Sequence, residues 1–330
     1  MQLFRFKTFA AAAVLAAAAL PYLAHTMELM VDTAAVSCSD VSASALVSAS
    51  TPAPAATPPR ASARRLDGSQ IAQGQRDISW AWLGTPTARY PHTALGSRFH
   101  AGSLHVLLAP TAGSTGPLRE VIYELPLNRV FEDLLVRLVD INQDGRDEIV
   151  LVEADALRGA SVVVLGLTGS GDARKLVELA RSPPAGSTFR WLNPVGVADF
   201  DGDGKLDVAA VVTPHIGGEL TLYHYAPPRL VPFAKAMDTS NHLMGAPQQQ
   251  LATIVEVPGL RPTIIVPSMT LKALHALRWE GNALEGKFKE LADVMPLPAR
   301  IERITALAAP QLGACVHLAD GSFRRVLLQH

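Results

Sequence analysis

The absences in this sequence narrow its chemistry first. Net charge is −1 over 330 residues, with 29 Lys and Arg set against 30 Asp and Glu. No basic surplus exists to grip nucleic acid or an anionic membrane. Cysteine occurs twice, at Cys38 and Cys315, which leaves one long-range disulfide and two free thiols both open and gives no thiolate metal spacing. No HExxH or H-x-x-x-H spacing, no G-x-S-x-G turn and no Walker-type loop occurs in a fitting context. The stretch GLTGSGDARK (166–175) has glycines without the phosphate-loop spacing. Long helical periodicities are also scarce. From about Asp67 onward the chain is rich in Val, Leu, Ile, Thr, Gly and Pro, which favours strands.

The N-terminus reads as an export signal, residues 1–24. Arg5 and Lys7 precede an apolar run from Phe9 to Leu20, and small residues follow. The run is short, mostly Ala, and has Pro21 near its end, which argues against a stable membrane span. Two cleavage points fit the small-x-small rule, Ala17–Ala19 and Thr33–Ala35. Residues 25–66 read as a disordered linker, because the Ser, Ala, Thr and Pro of 37–65 carry too little bulk to bury. The expected location is periplasmic or extracellular.

Against 18% charged residues overall, Asp199, Asp201, Asp203 and Asp207 crowd directly before a run of β-formers. Carboxylates that close repel one another unless a cation lies between them. The stretch VGVADFDGDGKLDVAAVV (195–212) also has a counterpart, VRLVDINQDGRDEIVLVE (136–153). Asp140 and Asp199 are 59 residues apart, as are Asp144 and Asp203. Each unit reads as a short strand, an acidic loop, a strand, a glycine-containing loop and a third strand. The skeleton continues without the acidic loop at 252–281, where Glu256 stands in place of the first Asp and PGLRP in place of the rest, and at 304–329. Upstream, Ser103 lies 58 residues before Ser161. Fourth strands are expected in EVIYELP, ARKLVELA, LVPFAKAM and KFKELADV. Five units at this spacing predict an all-β fold over 67–330, a β-propeller of about five four-stranded blades. An N-terminal strand closes the last blade, and RDISWAWLG (76–84) is the segment expected to do so.

The two acidic loops resemble FG-GAP/VCBS repeats, the calcium-loop blades of integrin α-subunits and of secreted bacterial proteins. That resemblance implies two structural Ca²⁺ ions. In one loop the ligand positions are Asp140, Asn142, Asp144 and Glu148, with the carbonyl of Arg146; in the other they are Asp199, Asp201, Asp203 and Asp207, with the carbonyl of Lys205. The donor chemistry agrees: hard Ca²⁺ takes six to eight oxygens at flexible geometry, whereas Mg²⁺ demands a stricter octahedron. An EF-hand would need an acid at loop position twelve, which here is Leu151 or Ala210. Solvated acids at an Asp-Gly turn would explain one loop better than two matched ones.

Loops joining strands one and two would lie on one face, and the remaining loops on the other. This second face collects Arg190, Trp191, Asn193, His215, Asn241 and His242, together with Tyr90, His92, Glu132 and Asp133. Loop residues of these types often carry binding, although a Trp can equally plug a core and a lone His can simply be packed. The reading is an exported, monomeric, non-catalytic binding or scaffold module with a protein or glycan ligand. A hydrolase or lyase acting on a carbohydrate or phosphoester through the same face is the alternative.

Overall fold

The computed structural model describes residues 28–32, 64–109, 118–282, 284–307 and 312–329. The described chain is all-β, with one 3-10 turn at Gly171–Ala173 and no α-helix. An N-terminal strand, β1 (Glu28–Asp32), precedes a first unit of β2 (Ala72–Gln73), β3 (Ile78–Thr87), β4 (His100–Leu108) and β5 (Glu120–Glu124). A connecting strand, β6 (Arg129–Phe131), leads to the second unit: β7 (Arg137–Val139), β8 (Glu148–Asp155), β9 (Gly159–Thr168) and β10 (Lys175–Arg181). The third holds β11 (Leu192–Ala198), β12 (Asp207–Val212), β13 (Glu219–Ala226) and β14 (Arg229–Ala236). The fourth holds β15 (Thr253–Val255), β16 (Thr263–Pro267), β17 (Ala273–Glu280) and β18 (Lys287–Glu290), followed by the short β19 (Met295–Pro296). The last comprises β20 (Ile301–Ala306), β21 (Gly313–Leu318) and β22 (Phe323–Gln329). Within each unit consecutive strands pair antiparallel. Units one to three are also joined edge to edge, through β6 and through a single parallel bridge between Arg181 and Arg229.

Burial follows strand position. Strands β4 and β8 are buried at every residue, their polar His100, Ser103, His105, Glu148, Glu153 and Asp155 included. The outermost strands β10, β14 and β18 instead alternate buried or half-buried residues with exposed ones. Because side chains alternate across a sheet, each unit can present apolar groups to both neighbours. In unit three, Val208, Ala210 and Tyr223 join the core shared with units one and two, while Ala209, Val211 and Leu222 join Ile264, Val266 and Trp279 of unit four. Ile265 and Leu274 of unit four turn the other way, toward Ile304, Val316 and Val326 of unit five. Each interior sheet is thus sandwiched between its neighbours in sequence.

A polar chain links the inner ends of the units. Gln70 donates its backbone N–H to Leu134 O at 2.8 Å, and Leu134 N–H reaches Gln249 Oε1 at 2.9 Å. Asn193 Nδ2 donates to Gln249 O at 2.7 Å, and Ile304 N–H to Gln250 O at 3.4 Å. All five units contribute to this chain.

Two expectations are corrected. The segment 76–84 does not complete the last unit: β3 pairs with β2 and β4 as the second strand of unit one. The long connection 88–99 between β3 and β4 separates partners that lie close in sequence in the other units, so the segment looked unpaired. The outer neighbour of β22 is β1, in register from Glu28↔Gln329 to Asp32↔Arg325. Five residues of the expected linker 25–66 are therefore strand, and Arg65 bridges Gly84 while Leu66 is buried. The export segment, both cleavage points and the body of the linker lie outside the described residues. Cys315 is buried in β21 and disulfide-bonded; the chain's other cysteine, Cys38, also lies outside them.

Candidate functional site: two acidic loops and the opposite face

Loop one (140–147) joins β7 to β8, and loop two (199–206) joins β11 to β12. Both bend twice through the left-handed region, at Gln143 (φ 60°) and Gly145 (φ 83°) in one, and at Gly202 (φ 74°) and Gly204 (φ 86°) in the other. Glycine takes that conformation without strain, so three of the four positions are chemically predisposed. The bends turn successive N–H groups onto the leading aspartate. Asp140 accepts from Asp144 and Gly145, each at 2.9 Å; Asp199 accepts from Asp203 at 3.1 Å and Gly204 at 2.9 Å. Asn142 and Asp201 each accept from the residue two positions on, Asp144 or Asp203, and those two accept from Arg146 and Lys205. Glu148 and Asp207 close the loops from the first residue of the next strand, taking the N–H of Ile141 at 3.1 Å and Phe200 at 3.3 Å. The loops share one backbone design.

Loop two gathers its acids most tightly. Asp199, Asp201 and Asp207 place one carboxylate oxygen each within 4.8 Å of one another, and Asp201 and Asp207 are buried. Asp203 is not in that trio and is 39% exposed, beside Lys205 at 3.4 Å. His224 Nδ1 lies 2.8 Å from Asp207 Oδ1. Burial raises the Asp207 carboxyl to about 6, with Asp201 adding to the rise and His224 opposing it. In loop one burial, then the charge of Asp144, raises Glu148 to about 7. Both closing acids are thus held where anionic charge is under-compensated. A bound cation would relieve that. An all-oxygen set of carboxylates around a glycine-bent loop fits Ca²⁺.

These loops agree with a comparison of sequences. The model of the FG-GAP-like repeat family matches residues 140–210, from the first aspartate of loop one into β12. Residues 140–210 are thus similar to an FG-GAP-like repeat. Both acidic loops fall inside the matched FG-GAP region. The chain matches no curated protein.

The face opposite the FG-GAP loops brings together most of the residues expected there, but largely by burying them. Trp191 is 2% exposed, donates Nε1–H to Glu132 O at 3.0 Å, and stacks on the half-buried His215 with ring planes 7° apart. His242 Nε2 lies 2.8 Å from Ala246 O, an oxygen that can only accept, so Nε2 carries the proton and Nδ1 accepts from His215 Nε2 at 2.8 Å. Burial drives both imidazoles down to about 4, leaving the pair neutral at pH 7. Asn193 and Asn241 are buried and each donates to the other's carbonyl. Arg190 is exposed. Of the candidate set, therefore, only Arg190 and His215 meet solvent to any extent.

Beside them lies a group whose arrangement the sequence did not reveal. Phe189, at φ 62°, stacks on His92 at 5.2 Å and donates its N–H to Tyr90 Oη at 2.8 Å. His92 Nδ1 contacts Glu132 Oε1 at 2.6 Å, while Glu132 Oε2 and Asn241 Oδ1 are buried with no hydrogen-bond partner among the described residues. Phe189 is 44% exposed, and a phenylalanine in the left-handed region is a strained residue at a surface. No spacing signal marks it, because the strain belongs to the turn. Asp133, by contrast, is saturated by Arg137 and by the N–H groups of Leu134, Leu135 and Val152. Among the described residues no helix is long and apolar enough to cross a membrane.

Proposed function

We propose that the chain is an exported, calcium-stabilised five-bladed β-propeller that serves as a non-catalytic binding or scaffold module. The carrying observation is the pair of FG-GAP loops, built on one hydrogen-bond pattern and each ending in a buried acid with a raised pKa. Five four-stranded units, sandwiched in sequence and joined at their inner ends by Gln70, Leu134, Asn193, Gln249 and Ile304, support the ring. Closure by β1 would remove the open edge of β22, which otherwise invites association. The disulfide at Cys315 supports an oxidising compartment outside the cytoplasm.

Two calcium ions would act as staples, with Asp140, Asn142, Asp144, Glu148 and the Arg146 carbonyl around one, and Asp199, Asp201, Asp203, Asp207 and the Lys205 carbonyl around the other. Ligand binding falls to the opposite face, where Phe189, Arg190 and His215 meet solvent and Glu132 and Asn241 hold unpartnered acceptors. The partner is a protein or glycan, and the module is monomeric. A hydrolase or lyase would have to work through the Glu132–His92 pair. Glu132 is fully buried, so Phe189 would first have to move aside.

The test is a thermal melt with calcium and with excess chelator, alongside a bound-metal count. A calcium-dependent rise in Tm with about two ions per chain is expected. No shift and no metal would overturn the calcium reading.

A further inference from the structure

The two FG-GAP loops share a backbone but not an electrostatic setting. Loop two offers four carboxylates. Loop one offers three, Asp140, Asp144 and Glu148, because Asn142 stands in the remaining place. Loop one also faces a cation from the neighbouring unit. The turn 74–77, between β2 and β3, holds in unit one the place that the acidic loops hold in units two and three. From it Arg76 donates Nη1–H to Asp147 Oδ1 at 2.8 Å and its backbone N–H to Asp147 Oδ2 at 3.2 Å. Its Nε then lies 3.6 Å from Asp140 Oδ2, the leading carboxylate of the loop. Asp147 is buried and donates its own N–H to Asp77 Oδ1 at 2.9 Å, so the guanidinium is anchored rather than free to swing away.

Loop two has an arginine nearby too, and the contrast is informative. Arg261 comes from the corresponding turn of unit four, close enough that a Cβ on Gly202 would meet its Nε at 3.1 Å. Its guanidinium donates to the carbonyls of Trp279 and Gly281 instead of to an acid. The ion pairs of loop two are to Lys205, which is 79% exposed, and to His224.

We infer that Arg76 sets the calcium affinity of loop one below that of loop two, so that the chain fills its sites in two steps. This rests on the calcium reading above. An arginine stays charged at any working pH. A unit charge of the ion's own sign beside a ligand carboxylate opposes a divalent cation. At water-like screening and a separation of about 6 Å this costs at most roughly tenfold in affinity, since the Asp147 partner offsets part of it. Fewer anionic ligands weaken a calcium site further. The junction of units one and two is then held by the Arg76–Asp147 pair where calcium is scarce, and by pair and ion together where it is abundant.

Calorimetric titration of the full chain with CaCl₂ tests this. Wild type should show one tighter and one weaker phase. Arg76→Met should tighten the weaker phase by up to about tenfold, whereas Arg76→Lys, which keeps the charge, should leave it near wild type. Asn142→Asp adds the missing carboxylate without disturbing the Arg76 anchor and should tighten the same phase, which keeps the idea testable if Arg76→Met folds poorly. Two equal sites in wild type would overturn the inference, as would calcium binding that neither Arg76→Met nor Asn142→Asp alters. No calcium heat in any variant would instead overturn the calcium reading itself.

Discussion

At the scale of single residues, Asp207 separates a metal ligand from a turn former. Its carboxyl is buried and its pKa is raised to about 6, so without an ion the charge is a burden on the fold. Asp207→Asn should therefore remove close to half of the calcium-dependent rise in Tm and cost little in chelator. Equal losses under both conditions would argue for a purely structural acid. Asp203, more exposed and outside the converging trio, should show the weaker effect. The histidine pair gives a prediction in pH. His215 and His242 are held near 4 in the fold against an ordinary 6.5, so between those values the unfolded chain binds more protons than the folded one. Their contribution is intact above pH 6.5 and is lost as pH falls toward 4. Denaturant unfolding at pH 7 and pH 5 should show this loss, and a His215→Gln/His242→Leu double variant should flatten it. An unchanged pH slope in the double variant would place the acid sensitivity elsewhere.

Among elements, those with chemistry written into them were the readable ones. The acidic loops carry their own signature in Asp and Gly spacing, and the third strands at Ser103, Ser161 and Leu220 follow from the repeat. The fourth strands were legible as segments: β5 and β18 lie within the expected stretches, and β10 and β14 each overrun theirs by one residue. The closing strand was not legible. ELMVD is five residues long, lies between an apolar run and a Ser/Ala/Pro tract, and owes its conformation to partners about 300 residues away in β22. Sequence periodicity cannot report a partner that distant. Likewise the opposite face could be assembled from loop positions, but not the burial that consumes Trp191, Asn193 and Asn241. The strand also discriminates between the two cleavage points. Processing at Ala17–Ala19 retains β1, whereas processing at Thr33–Ala35 removes it. Should the chain be processed as proposed, N-terminal sequencing of the mature protein should find a start before Glu28, and a recombinant chain starting at residue 33 should melt below one starting at residue 25. Equal melting temperatures would show that β1 adds nothing.

For the molecule as a whole, stability is shared along the chain of inner contacts. Gln249 sits at its centre: its side chain accepts from Leu134 of unit two, and its carbonyl accepts from Asn193 of unit three. Gln249→Leu would take the Gln249 Nε2 donor from the buried Asn193 Oδ1, while Leu134 N–H keeps the Asp133 carboxylate, and should cost about 1–3 kcal/mol in denaturant unfolding. One cooperative transition is expected to persist, because each interior sheet is packed on both faces. A variant that melts in separable steps would show that the units are independent.

The meeting of β1 with β22 also fixes an order of events. The five residues of β1 find their partners in β22, so that pairing cannot form until β22 has been synthesised. Until then β1 is an unprotected peptide, open to proteases and to the sheet edges of other molecules. Among the described strand pairs this seam closes the longest loop, which makes it a late step and a place where a nascent chain can go astray.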